Sequence, residues 1–443
     1  MSFLSFIFDR VSDKPRSRRR PDIKFGRFAE PEETEEMVAI RNAAEQMYQQ
    51  GDYLSAYISF FEYMSRQGGP AVTISYDEEI KTLFFEIIQG SKIVRGAVTP
   101  DEVLTQADIA TFDSLDVALM RLLLTQNTNF AYCKFAVFDN TISLMQRCPT
   151  KDMSPGAFNE MLSEIAITSD SVDDVLVEQF PNLHAINTEN IISLPENEIS
   201  AKIKFLRKWI HDAQQLVQTT ADDPTRTYII LTAIFKILYL ISPEGSLLHH
   251  FRQVYSIYAN GYNPEERNSP EINHKMLAEL EDIDKKSDNE LKNSIYKVRA
   301  VFPEISYMTF AEMAESLNSH FVLIDTCIDS GRYDLVQTMC EYATGLNHAH
   351  HGMPTAAQDL LLIFWRVLNQ DYFNALGFDD EFISPNSQTL AAIKISKEID
   401  ETIKKYTKVY PNLSFNTANL DFGTIPGFAY TFLKEFAALE IPD

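Results

Sequence analysis

From Ala71 the apolar residues of this chain, which until there recur at every third or fourth position, recur at every second one in a series of short runs that reaches Cys148. A strand alternates its side chains between two faces and a helix does not, so the change of period sets a β-rich segment between helical ones. Residues 72–76, 82–89 and 92–98 read as strands, the second with Leu83, Phe85 and Ile87 on one face, and Gly90-Ser91 suits a two-residue type II′ hairpin. A fourth extended stretch covers residues 103–110. Residues 130–138 and 141–148 form another hairpin around Asp139-Asn140, whose two-residue loop sets Val137 opposite Ile142 and Phe135 opposite Leu144.

Helices surround these strands. Residues 32–50 and 53–66 carry Ala44, Met47, Tyr48, Tyr53, Ala56, Tyr57 and Phe60 at helical spacing, with Gly51-Asp52 closing an αα-hairpin. Asp113 is placed to cap a helix over 114–126, with Asp116 in its first turn and Leu115, Leu119, Leu122 and Leu123 inward. Ser154-Pro155 opens another, running to about residue 180 with a break near Ser169.

The set Ala44, Gly51-Asp52-Tyr53, Ala56 and Phe60 resembles one tetratricopeptide hairpin; an ordinary helical hairpin is the alternative, because a repeat array needs several units to bury a core. The larger order is helices, a strand meander, a helix, a hairpin and a long helix. With Leu122-Leu123-Leu124-Thr125-Gln126-Asn127, and later Ser154-Pro155, Phe158, Leu162, Ile165, Asp170, Asp174-Val175-Leu176 and Phe180, it resembles the type III secretion chaperone-like fold found also in the YbjN family, over residues 30–182. That resemblance implies a non-enzymatic domain that binds protein segments, often as a dimer through the middle helix.

The stretch 181–197 mixes Pro, Asn and Glu and reads as a linker. Everything after it reads as helix. Phe205, Leu206, Trp209, Ile210, Ala213, Leu216 and Val217 form one stripe; residues 228–241 make a buried helix; residues 247–260 end at Gly261, read as a left-handed cap; and residues 276–302 are charged and amphipathic. Thr309-Phe310-Ala311-Glu312 is a capping box opening a helix to Ser330, followed by one to Thr344, an apolar one over 355–374 and an aromatic one over 427–439. The expected fold is an α+β N-terminal domain, antiparallel sheet with helices, followed by an all-α helical region. Its parts are a flexible basic tail at 1–29, an α+β domain at 30–182, a linker at 183–197 and a helical domain at 198–443.

Charge narrows the partners. The net charge is −24, and residues 1–30 hold eight Lys/Arg against four Asp/Glu, leaving about −28 for the body. So acidic a surface repels phosphate backbones, which argues against nucleic acid as a partner. Four cysteines without a C-x-x-C pair fit a reducing, cytoplasmic setting. The apolar start, Phe3, Leu4, Phe6, Ile7 and Phe8, lacks the basic flank and cleavage pattern of a signal peptide, and residues 228–241 fall short of the ~20 needed to span a bilayer. The arginine-rich tail, with Lys14, Arg16 and Arg18-Arg19-Arg20, reads either as a docking or lipid-surface peptide or as a segment folding back on the acidic body.

Few residues carry a chemical signature. His348-Ala349-His350-His351 is the one metal candidate, yet zinc needs three or four ligands and no H-E-x-x-H or cysteine companion lies nearby, so the histidines read as a helix end. His249-His250 diverge by about 100° on a helix. Asp222-Asp223 and Asp379-Asp380-Glu381 sit beside Pro224 and Gly377 and read as caps and turns. Without a phosphate loop, a dinucleotide fingerprint or a nucleophile elbow, no catalytic, cofactor or metal residue is assigned. The expected function is a non-enzymatic, chaperone-like or adaptor protein for a protein or peptide partner, with a homodimer as a possible assembly. An acidic inhibitor or immunity-type protein that neutralises a basic partner is the alternative, and an enzyme of unfamiliar type comes third.

Overall fold

The computed structural model describes residues 20–29, 34–261, 269–384 and 389–442. Helices α1 (Glu35–Gln49) and α2 (Tyr53–Gly68) form the first hairpin, capped by Thr34 and Asp52. Then come β1 (Val72–Asp77), β2 (Thr82–Gln89), β3 (Lys92–Val98), β4 (Glu102–Phe112), α3 (Val117–Gln126), β5 (Lys134–Phe138), β6 (Thr141–Pro149) and α4 (Pro155–Gln179). The sheet is antiparallel, in the order β1-β2-β3-β4-β6-β5. Asp139 and Asn140 both take positive φ, and the turn sets Val137 against Ile142 and Phe135 against Leu144, as the two-residue loop requires.

One face of this sheet is covered by α1, α2 and α4. Phe158 of α4 sits among Tyr57, Phe60, Phe61 and Phe85, so an aromatic cluster joins helices to sheet. Among the described residues no helical layer covers the other face, and Phe84 and Phe138 stand exposed on it.

Three local expectations change in this half. Asp116, not Asp113, caps α3, accepting from the Leu119 amide at 2.7 Å; Asp113 instead meets His184, and Leu115 is exposed ahead of the helix. Helix α4 runs unbroken through Ser169, whose hydroxyl is buried and donates to the Ala166 carbonyl, so it needs no irregular backbone for its partner. Residues 183–197 are no free linker. Strand β7 (Leu183–Ala185) pairs with Ala110–Phe112 of β4, beyond the reach of β3, and β8 (Ile192–Ser193) pairs with β9 (Tyr296–Lys297). Asn190 is buried and donates to the Ser91 carbonyl. Digestion of the native protein with a glutamate-specific protease is therefore expected to spare Glu189; early cleavage there would show that the segment opens readily.

The described residues of 196–442 are mostly helical, joined by loops and short strand pairs: α5 (Glu196–Thr219), α6 (Asp223–Lys236), α7 (Gly245–Asn260), α8 (Ser269–Lys285), α9 (Asp288–Lys292), α10 (Phe310–Asp329), α11 (Tyr333–His350), α12 (Thr355–Leu368), α13 (Gln370–Ala375), α14 (Ala392–Tyr406) and α15 (Ile425–Ala437). Strand β10 (Ser306–Tyr307) runs parallel to β11 (His351–Gly352). The Thr309 capping box forms as read, and Gly331 takes φ +72 after α10. Gly261 instead ends α7 with a right-handed φ of −78, and the stretch 276–302 breaks into α8, α9 and β9 at the Ser287 cap. Asn369 divides the helix expected over 355–374. Helix α6 continues through a π-helical turn, Ile237–Ile241, and the combined Asp223–Ile241 is the one described helix long and apolar enough to cross a membrane. It lies mostly buried in the second core.

Residues 20–29 form a strap rather than a loose tail; residues 1–19 lie outside the described residues. Phe25 inserts among Tyr239, Phe373 and Phe378, and the Gly26 amide donates to the Tyr239 carbonyl at 2.8 Å. Arg20 pairs with Glu398 at 2.5 Å, which extends a buried chain in which Arg366 holds both Glu398 and Asp380. This segment folds back on the acidic body because apolar side chains and two arginines alternate along it.

Candidate functional site

The residues with chemical signatures in the sequence are dispersed among separate contacts. His348 is buried and stacks on Tyr239 with ring centroids 3.9 Å apart. Burial pulls its pKa down to about 3, so it stays neutral under physiological conditions. His350 bonds the Leu346 carbonyl and His351 the Ser306 hydroxyl; the three imidazoles thus serve different neighbours. His249 contacts Gln253 and His250 contacts Glu279. Asp222 caps α6 and Asp223 pairs with Arg226. Asp379 takes a left-handed φ of +54, Asp380 is held by Arg366, and Glu381 by Lys394. Among the described residues no three His, Cys, Asp or Glu side chains gather to hold a metal ion.

A constellation that the sequence did not reveal lies where the two cores meet. The β2–β3 hairpin tip, Gln89 to Lys92, docks against residues 299–302, and Val301 and Phe302 pack into the core of the sheet domain. Gln89 acts as a surrogate strand: its side-chain oxygen accepts from the Val301 and Phe302 amides at 2.9 and 3.0 Å, and its amide donates to the Phe302 carbonyl. The Gly90 amide donates to the Arg299 carbonyl at 2.8 Å. Lys92 is fully buried, 2.6 Å from Asp173, and donates to the carbonyls of Ile109 and Ile186. Behind it Asp170, Asp173 and Asp174 occupy one turn of α4. Arg27 of the strap lies between Glu244 and Glu304, and Arg252 also holds Glu304. Burial pushes Glu244 above the ordinary carboxylate range although Arg27 opposes it; for Glu304, Arg27 and Arg252 together outweigh burial and hold it below. A cleft of about 350 Å³ opens alongside, between Tyr63, Gln67, Asn159, Ser163 and Pro303, and this same Glu304 lines it. The arrangement joins the sheet half to the helical half through hydrogen bonds and ion pairs.

The other unusual feature is the sheet edge. Strand β1 is terminal, nothing among the described residues pairs with its outer side, and every residue of it after Val72 is exposed. Helix α2 turns into β1 through Gly69–Ala71, and Val72 is the one residue of β1 that is buried. Ile74 and Tyr76 belong on the helix-facing side of the sheet, opposite Phe85 and Leu83, yet they reach past the helices and are about two-fifths exposed. Ile80, 58% exposed in the β1–β2 turn, extends this patch, and Phe84 is exposed on the opposite face of β2. Asp77 holds the turn by accepting from the Glu79 and Ile80 amides, while Glu78 and Glu79 remain exposed. The apolar alternation was legible in the sequence. That it forms an open edge depends on strand order and was not.

The sequence matches no protein-family model and no curated protein.

Proposed function

We propose that this is a non-enzymatic, cytoplasmic binding protein that takes an extended segment of a partner protein onto β1 by strand addition. The observation that carries the reading is the unprotected edge. Native sheets blunt their edges with lysine, proline, bulges or a covering element, and among the described residues Val72–Asp77 has none of these. Backbone pairing along β1 would supply affinity, and the apolar surface of Ile74, Tyr76 and Ile80 would select alternate apolar side chains. Asp77, Glu78 and Glu79 beside them, on a body of about −28, favour a segment that also carries Lys or Arg. The resemblance of residues 30–182 to chaperone-like domains points the same way.

Arrays of short peptides probed with the full chain test this. Retention is expected on segments that alternate apolar and basic residues. Ile74→Lys with Tyr76→Lys is expected to weaken it by at least about tenfold, since a lysine on an edge strand opposes pairing and the apolar contact is lost. Retention indifferent to those lysines but abolished by added salt would favour the acidic-inhibitor reading instead.

A further inference from the structure

We propose that docking of the β2–β3 hairpin tip onto the helical region is a proton-controlled latch, closed while the Asp170 carboxyl keeps its proton and loosened when that proton leaves. The geometry is specific. Gly90 takes φ +60, and a Cβ built on it would overlap the Asp170 carboxylate, so the acid packs directly on the hairpin backbone. One Asp170 oxygen accepts from the Ser91 amide at 2.9 Å. One turn on, Asp173 takes Lys92 and the Ser91 hydroxyl, so the cation delivered by the hairpin is already engaged. Asp174 faces the start of α7 at Gly245 and the Tyr296 hydroxyl of β9, 3.4 Å away.

The charges around Asp170 are unbalanced. Its own helix supplies Asp173, Asp174 and, further along, Glu178; the hairpin supplies Lys92; the segment before α7 supplies Glu244; the loop before β10 supplies Glu304; and β9 supplies Tyr296. The cations Arg27 and Arg252 are bound to Glu244 and Glu304, and His249 of α7 interacts with Arg252, His250 and Glu178. Among the described residues Asp170 has no salt bridge. Burial, reinforced by Asp173, Glu304 and Glu244 and opposed by the Ser91 amide, pushes its pKa up to about 8. Burial and Asp173 likewise push Asp174 up to about 6.

The sign follows from linkage. Undocked, an aspartate titrates near 3.9. The Asp170 contribution to docking is therefore full below that value, weakens as pH rises through the interval, and levels off above the docked value of about 8. Glu304, held below its ordinary range, acts in the opposite sense, but only in more acidic solution. From pH 6 to 8 the latch follows Asp170, and the Asp170→Asn variant separates it from Glu244, which burial shifts in the same direction.

Hydrogen exchange of the full chain measures the latch, read as protection of residues 89–92 and 299–302 relative to an unstructured chain at the same pH. Protection is expected to fall about tenfold per pH unit between pH 6 and 8 and to level off above, the slope for one proton. Asp170→Asn keeps the acceptor for the Ser91 amide and the shape of the protonated acid, and has no proton to lose. Its protection is expected to stay constant over the same range. A flat wild-type profile overturns the proposal whether or not the variant folds, and so does the wild-type slope persisting in Asp170→Asn.

Discussion

Replacing Lys92 with methionine is expected to destabilise the sheet half by about 3–5 kcal/mol, because it leaves the Asp173 carboxylate buried without its cation. The same change removes the donor to the Ile109 and Ile186 carbonyls, so the end of β4 and the approach to the second half both lose a tie. Urea titration followed by far-ultraviolet circular dichroism should show an earlier first transition. Adding Asp173→Asn to Lys92→Met is expected to recover a substantial part of the loss, since no uncompensated charge then remains. A Lys92→Met protein as stable as the parent would mean that Lys92 reaches water in solution.

Phe158→Ala is expected to cost a similar amount, about 3–5 kcal/mol, for a different reason. Phe158 is fully buried, and its ring meets those of Tyr57, Phe60, Phe61 and Phe85 at centroid distances of 4.9 to 5.8 Å, so truncation opens a cavity walled by aromatics. These neighbours come from a helical hairpin and a strand that cannot all move inward together. Phe158→Leu should lose much less, and the contrast between the two substitutions in the same titration separates cavity formation from loss of hydrophobicity. Equal losses would show that the cluster depends on ring geometry rather than on filled volume.

The strands were legible because period-two alternation and turn residues are local signals. Thr82–Gln89 and Lys92–Val98 begin and end where the sequence places them, and Asp139-Asn140 adopts the left-handed turn that aligns its hairpin. Capping was legible to within a turn: both Asp113 and Asp116 suit an N-cap, and the pairing of Asp113 with His184, a contact from β7, accompanies the choice of Asp116. Helix α14 was not marked, although Ile395, Ile399 and Ile403 recur four apart along it and pack on the second core.

The junction was invisible for a deeper reason. Asp170, Asp173 and Asp174 have the spacing of a solvated helix face, and Lys92 looks like an ordinary charge at a hairpin end. Only contacts between residues some 80 positions apart make them a buried network. The stretch 183–197 misled for the same reason: its Pro, Asn and Glu content resembles a linker, but the backbone of β7 finds partners on β4 and Asn190 finds one on the hairpin tip. The strap was hidden because Ile23, Phe25 and Phe28 are too few to form a periodic pattern.

The central claim is that β1 is where a partner strand is added, and hydrogen exchange of the full chain with and without a retained peptide tests it most directly. Strand addition predicts new protection of the backbone amides of Val72–Asp77 that point away from β2, with little change in the helical region 196–442. Protection confined to 196–442, with Val72–Asp77 exchanging as fast as before, would contradict it.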